Sequence, residues 1–212
     1  MKKPLTQIAI LSSLVVSISA ASAAVPTAEL KVVGTMTVPS CTVVSPDAGI
    51  YDIGKLSSSL VKPGTTVTVL AQINKTWTVN CDANTYLNFT PVDNRVGSSS
   101  DGSAAAFGLG KINDTGKIGY YTVQMRNATV DGKKSGVFTA SSASFSQADT
   151  SYLNRGQRTG WAAGANTQNS GKVFVADLLV TPVLAGTNTM NGAITEDAKI
   201  DGSLTMNFAF GI

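Results

Sequence analysis

A regular alternation of apolar and polar side chains at both ends of the chain constrains the fold more than any other feature of the sequence. Near the start, the apolar positions that share one parity are Ala28, Leu30, Val32, Met36 and Val38, with Gly34 in the same series. Near the end, they are Leu204, Met206, Phe208, Phe210 and Ile212. In an extended strand, alternate side chains lie on opposite faces. The sequence therefore predicts a β-strand with one apolar face at each end.

Each of these apolar faces must be buried against another surface, and the alternation alone is compatible with two arrangements. Both segments can be ordinary strands of one sandwich, each packing on the core of its own domain. Alternatively, one of them completes a different molecule. The rest of the sequence bears on this choice.

Residues 1–23 have the pattern of an export signal. Lys2 and Lys3 precede an apolar run from Ile8 to Ile18, and small side chains follow at Ala21-Ser22-Ala23. The apolar run is too short to span a membrane as a helix. We therefore expect cleavage before Ala24 and export of the remaining chain.

Two cysteines occur in the chain, Cys41 and Cys81. In an exported protein such a pair is expected to form a disulfide. The bond closes a loop of about 40 residues, which contributes roughly 4 kcal/mol in the chain-entropy model. Since the sequence contains no histidine, two isolated cysteines cannot complete a tetrahedral metal site. We expect no metal and no cofactor.

The same lack of histidine excludes Ser-His-Asp and Cys-His catalysis. No carboxylate pair or nucleotide-binding loop is indicated, so we expect no catalytic residues and no enzyme activity.

Removal of Lys2 and Lys3 lowers the formal charge from +3 to +1. A nearly neutral chain gives no electrostatic reason to expect a nucleic-acid partner.

The middle of the chain has the pattern of short strands separated by turns, and no segment has a helical period. The predicted strands are 67–71, 77–81, 86–92, 118–125, 128–130, 136–140 and 173–183, with turns at Asp82-Ala83-Asn84 and Asp131-Gly132. Residues 97–106 are predicted to form a mobile surface loop. This pattern indicates an all-β sandwich.

A second loop is predicted from Ser141 to Lys172, and it contains aromatic and arginine side chains. These are Tyr152, Arg155, Arg158 and Trp161. Such a mixture is suited to a sugar or a partner surface. The composition of the segment favours the other interpretation, a surface excursion whose aromatic side chains pack on the sandwich.

Five features together resemble the pilin subunits of bacterial chaperone–usher fimbriae, in a divergent branch that is longer than usual. They are the exported start, the alternating arm around Gly34, Cys41 directly after it, Cys81 at the end of TVNC, and the alternating C-terminal strand. The resemblance implies an immunoglobulin-like β-sandwich, residues 41–212, that lacks its final strand. A donor-strand arm, residues 24–40, precedes it. The groove left by the missing strand takes first a periplasmic chaperone and then the arm of the next subunit.

By this resemblance, Ala28, Leu30, Val32, Met36 and Val38 enter the groove of a neighbour, and Gly34 passes where a side chain has no room. Leu204, Met206, Phe208, Phe210 and Ile212 line the groove and pair with the chaperone. The implied function is a structural subunit of a cell-surface fimbria, exported through the periplasm. Its implied partners are other subunits, a periplasmic chaperone, an outer-membrane usher and a surface glycan. The alternative is a monomeric exported carbohydrate-binding module or adhesin that binds sugar through residues 141–172.

Overall fold

The computed structural model describes residues 26–211, and most of the regular structure within them is β-strand. The strands are β1 (Cys41–Val44), β2 (Thr68–Val69), β3 (Ile73–Asp93), β4 (Phe107–Gly108), β5 (Lys111–Ile112), β6 (Gly116–Lys117), β7 (Gly119–Val130), β8 (Lys133–Lys134), β9 (Gly136–Ala140), β10 (Ser151–Tyr152), β11 (Arg158–Gly164), β12 (Thr167–Gln168), β13 (Ser170–Leu184) and β14 (Leu204–Phe210). Two short 3-10 segments span Pro46–Gly49 and Ser58–Leu60. Among the described residues, no helix is long and apolar enough to cross a membrane. The expectation of an all-β fold is confirmed.

The chain divides into two units, Met1–Thr37 and Val38–Ile212. In the first unit, residues 26–37 have no regular secondary structure. Leu30, Val32 and Met36 are 86%, 90% and 102% exposed. The alternating series near the start of the chain therefore does not form the expected half-buried strand in this structure. The expected export signal, residues 1–23, lies outside the described residues.

In the second unit, β3 is the longest strand and belongs to two sheets. Its first half pairs antiparallel with β1 and β13, and its second half pairs with β14 and β11. The first sheet has the order β10-β7-β13-β3-β1. The second is built from β14, β3, β11, β12 and β9. The predicted turn at Asp82-Ala83-Asn84 is wrong, because β3 continues through these residues as one strand.

The core lies between the two sheets, which gives the fold its sandwich character. The rings of Trp161 on β11 and Phe174 on β13 meet edge to face, 5.2 Å apart, and Phe89 on β3 lies 6.5 Å from Trp161. All three side chains are buried. The Trp161 indole Nε1 donates a hydrogen bond of 3.0 Å to the carbonyl of Val175, which satisfies the one polar atom of the ring.

The expected disulfide is confirmed, since Cys41 and Cys81 are bonded to each other. The expected turn at Asp131-Gly132 is also present, and it joins β7 to β8. Both turn residues have positive φ angles of 49° and 75°, as this kind of tight hairpin turn requires. However, β9 does not pair with β7 as a simple hairpin would predict. It crosses to the second sheet and pairs with β11.

The expected surface loop at residues 97–106 is partly buried. Ser98 Oγ donates to the Arg95 carbonyl at 2.8 Å and accepts a hydrogen bond of 3.1 Å from the Gly110 amide. Ser98, Ser99 and Ala106 are all buried. Because its polar groups find partners inside the fold, this small-residue segment packs on the sandwich.

Candidate functional site

A groove of about 1040 Å³ opens on one side of the second unit. Its floor is formed by inward-facing side chains of the first sheet, among them Val123 on β7 and Leu178 and Val180 on β13. One wall is the segment 49–61, and the other contains β14 and residues 194–203. Most of the residues that line the groove are apolar. The groove therefore lies where the second sheet leaves part of the first sheet without a facing strand.

The wall formed by residues 49–61 is fastened to the floor through Tyr51. Its hydroxyl donates a hydrogen bond of 3.2 Å to the carbonyl of Leu178 and accepts one of 2.9 Å from the indole Nε1 of Trp77. The Lys75 ammonium lies 5.4 Å from the centroid of the Tyr51 ring and pairs with Asp47. These contacts hold the wall segment against β3 and β13.

Burial raises the pKa of Tyr51, and the nearby Asp177 carboxylate raises it further, while the hydrogen bond from Trp77 lowers it. Burial also raises the pKa of Tyr121, another residue of the groove, and Asp93 adds to this effect. Both phenol groups are therefore neutral at neutral pH. A neutral Tyr51 hydroxyl keeps the proton that it donates to Leu178.

The opposite wall ends in an edge strand. All seven residues of β14 pair with β3, from Leu204 opposite Asp93 to Phe210 opposite Leu87. Within residues 26–211, β14 has no other strand partner. Its second edge is therefore free, and an edge of this kind can pair with a further extended segment.

Sequence reasoning placed one set of groove residues on β14, and the structure brings two of the four described ones to the groove. Leu204 and Met206 line it, and Phe208 packs on the core with its ring 5.3 Å from that of Phe89. Phe210 is 39% exposed and is not among the lining residues. Ile212 lies outside the described residues. The binding roles of all five positions stay predictions.

The end of β14 is held by two buried amides that the sequence pattern did not reveal. Asn88 Nδ2 and Gln168 Nε2 donate to the carbonyl of Gly211 at 3.3 and 3.4 Å. The Gly211 amide donates to the Tyr86 carbonyl at 3.1 Å. These contacts hold Gly211 against β3 and β12. The local sequence around Asn88 and Gln168 does not predict these hydrogen bonds, because their partner Gly211 is distant in sequence.

The predicted donor residues lie mostly in the first unit. Ala28, Leu30, Val32 and Met36 are exposed, and Val38 at the start of the second unit is 79% exposed. Within residues 26–211, and apart from Gly34 and its two neighbours in the chain, no atom lies within 4 Å of the position that a Cβ on Gly34 would take. The whole series is therefore accessible to a partner. Its role as a donor strand stays a prediction.

The candidate sugar-binding region, Ser141–Lys172, is not a long loop, because it contains β10, β11, β12 and the start of β13. Trp161 is only 3% exposed and belongs to the core. Arg155 and Arg158 donate to the carbonyls of Ser103 and Ser142 at 2.8 and 2.7 Å. Tyr152 alone remains well exposed among the four side chains that suggested this site. Across residues 26–211, no group of three acidic, cysteine or histidine side chains is placed to hold a metal ion.

A family model described as "Protein of unknown function (DUF1120)" matches residues 30–106. The matched stretch contains both cysteines and all of β3, together with the wall segment 49–61. It is shorter than half of the chain. No curated protein matches the chain.

Proposed function

We propose that this chain is a structural subunit of a cell-surface fimbria, in which the arm of one copy fills the groove of the next. One observation carries the proposal: a groove with an apolar floor is bordered by the free edge of β14, in a chain that also has an exposed arm with strand periodicity. A strand added beside β14 gains main-chain hydrogen bonds from the edge and apolar contacts from the floor. In this proposal the domain is an immunoglobulin-like sandwich that lacks one strand.

The length of the arm suits the length of the edge. At about 3.3 Å per residue, the eight steps from Leu30 to Val38 span about 26 Å, and the six steps from Leu204 to Phe210 in β14 span about 20 Å, so the arm can cover the whole edge. Alternate side chains of the arm, namely Leu30, Val32, Met36 and Val38, then share the face that meets the floor. Gly34 lies at the centre of this face, where it permits close approach of two backbones.

The energy available from this insertion is large. Burial of Leu30, Val32, Met36 and Val38 contributes about 1.5–3 kcal/mol each, or roughly 6–12 kcal/mol before the cost of ordering the arm. All four side chains are exposed in the free chain, so each would lose contact with water on insertion. The main-chain hydrogen bonds between the arm and β14 then fix the direction and the register of the inserted arm.

An open apolar groove also needs a temporary cover between synthesis and assembly, because exposed apolar surface promotes aggregation. In our proposal, a periplasmic chaperone pairs with β14 and covers the groove until an outer-membrane usher brings two subunits together. The location that follows is the cell surface, reached through the periplasm. A surface glycan is compatible with this role and is not required by it.

The proposal is tested with a synthetic peptide of residues 30–38 and the purified monomeric chain. The control peptide has aspartate at the positions of Val32 and Met36. Because Trp77 lines the groove, its fluorescence provides a readout. We expect saturable binding of the natural peptide and none of the control. Equal binding of both peptides, or no binding of either, would count against donor-strand addition.

A further inference from the structure

Residues 191–200, here called the strap, connect the turn after β13 to the approach of β14. They have no strand or helix, and six of them line the groove or lie beside it. The lining positions include Ile194 and Ile200, the two large apolar side chains of the segment. The strap thus borders the groove together with Ile112 and Met190, which also line it.

Both ends of the strap are tied to the domain. Next to its first end, Asn113 Nδ2 donates to the carbonyls of Met190 and Ala193 at 2.9 and 3.4 Å. After its last residue, the Asp201 amide donates to the carbonyl of Leu109 at 3.2 Å. An ion pair of 2.7 Å between Arg95 Nη2 and Asp201 Oδ2 strengthens this second attachment.

The middle of the strap is held in a different way. Within the part of the chain that the structure describes, residues 194–200 make no backbone–backbone hydrogen bond. Ile194 and Ile200 are half-buried and pack on the core, whereas every side chain from 195 to 199 is exposed. Release of the middle therefore breaks apolar contacts of two side chains and leaves the backbone pairing of the sandwich intact.

We propose that the strap is a displaceable cover, in which Ile194 and Ile200 fill one end of the groove until an inserting strand takes that space. The fixed ends act as hinges, and the unpaired middle moves outward. The identity of the inserting strand rests on the proposed function, since we take it to be the arm of another copy. The covering of the groove by the strap does not depend on that identity.

A cover and a permanent wall predict opposite effects of the same substitution. If Ile194 and Ile200 occupy space that a strand needs, their truncation opens the groove and speeds insertion. If they form a lasting wall, they contact the inserted strand, and their truncation weakens its binding. The sign of the effect therefore decides between the two roles.

The first experiment uses the full chain with Ile194→Ala and Ile200→Ala together, and Lys199→Ala as the control in the same segment. Lys199 is exposed and does not line the groove. We expect the double variant to bind more of a fluorescent apolar dye than wild type. We also expect the association rate of the peptide of residues 30–38 to rise by roughly threefold to tenfold, with the control unchanged. Unchanged dye binding, or slower or weaker peptide binding, would overturn the proposal.

The second experiment needs no variant and so does not depend on the folding of one. The chain contains two glutamates, Glu29 and Glu196, and the second lies in the strap. The peptide of residues 30–38 contains neither, so a glutamate-specific protease leaves it intact. We expect saturating peptide to accelerate cleavage after Glu196 several-fold and to leave cleavage after Glu29 unchanged. Equal or slower cleavage after Glu196 in the peptide-bound chain would overturn strap release.

The outcomes also separate this inference from the proposed function. If wild-type chain binds no peptide while truncation of the two isoleucines increases dye binding, donor-strand addition fails and the strap remains a cover of the groove. If peptide binds, truncation of the two isoleucines weakens that binding and cleavage after Glu196 is unchanged, donor-strand addition stands and the strap is a fixed wall.

Discussion

Cys41 lies directly opposite Cys81 in the ladder that joins β1 to β3, and the two side chains form a disulfide. The bond ties the first strand of the second unit to the strand that takes part in both sheets. The second half of β3 pairs with β14, whose free edge borders the groove. The start of the sandwich and the candidate binding edge are thus both fixed by β3.

Loss of this disulfide should destabilise the domain. The bonded residues are 40 positions apart, and the chain-entropy model gives about 4 kcal/mol for a loop of this length. We expect Cys41→Ser with Cys81→Ser to lower the free energy of unfolding by about this amount, measured by urea denaturation. Wild-type protein that is denatured without reductant should react with no thiol reagent. Two reactive thiols per chain would contradict the assignment.

Two phenylalanines of β14 offer a matched pair of substitutions. Phe208 packs on the core beside Phe89, whereas Phe210 is 39% exposed. We expect Phe208→Asp to reduce the free energy of unfolding by about 2 kcal/mol or more, because it removes an aromatic contact and places a carboxylate without a partner at a half-buried position. Phe210→Asp should cost about 0.5 kcal/mol or less. Urea denaturation of both variants gives the comparison, and equal losses would show that the face of Phe208 is not buried.

The buried tyrosines of the groove predict a loss of stability at alkaline pH. The pKa of Tyr121 is raised by burial and by Asp93, above the ordinary value of 10.0. Below that value the phenol is protonated in both the folded and the unfolded chain. Above it the unfolded chain loses its proton first, so the stabilising contribution falls as pH rises towards the folded-state pKa.

We therefore expect the stability of Tyr121→Phe to fall less steeply than that of wild type between about pH 9 and pH 11. Thermal unfolding across this range provides the measurement. The control is Tyr152→Phe, because the Tyr152 side chain is largely exposed. Parallel curves for wild type and Tyr121→Phe would show that the phenol group does not contribute in this way.

The sequence was sufficient where a short-range pattern determines the structure. The period of two placed Leu204, Met206 and Phe208 on one face of β14, and export with two cysteines predicted the disulfide. The same reasoning failed at Asp82-Ala83-Asn84, where turn-forming residues continue a strand because flanking residues pair with β13. Tertiary pairing outweighed the local preference at that point.

Other features depend on contacts that no local pattern contains. Tyr51 donates to a carbonyl 127 positions away, at Leu178. Trp161 lies in a stretch rich in small and polar residues, and packing between the two sheets makes it part of the core. The apolar and polar residues of the strap do not alternate regularly, so its sequence does not predict that it lies beside the groove.

The arm presents the most direct test of donor-strand addition, because there is open space at the position that a side chain on its central residue, Gly34, would take. Because no described residue beyond the two chain neighbours of Gly34 comes within 4 Å of the place of a Cβ there, we expect a larger side chain to leave the free chain undisturbed. In the groove of another copy, Gly34→Leu should overpack the interface at a cost of about 1–3 kcal/mol or more. Val33→Leu on the opposite face of the arm is the matched control.

The decisive measurement is polymer formation by Gly34→Leu, Val33→Leu and wild type, followed by light scattering, with thermal unfolding of each monomer in parallel. We expect Gly34→Leu to fold with wild-type stability and to form little or no polymer, while Val33→Leu polymerises as wild type does. Polymerisation of Gly34→Leu at the wild-type rate, or a loss of monomer stability together with assembly, would contradict donor-strand addition.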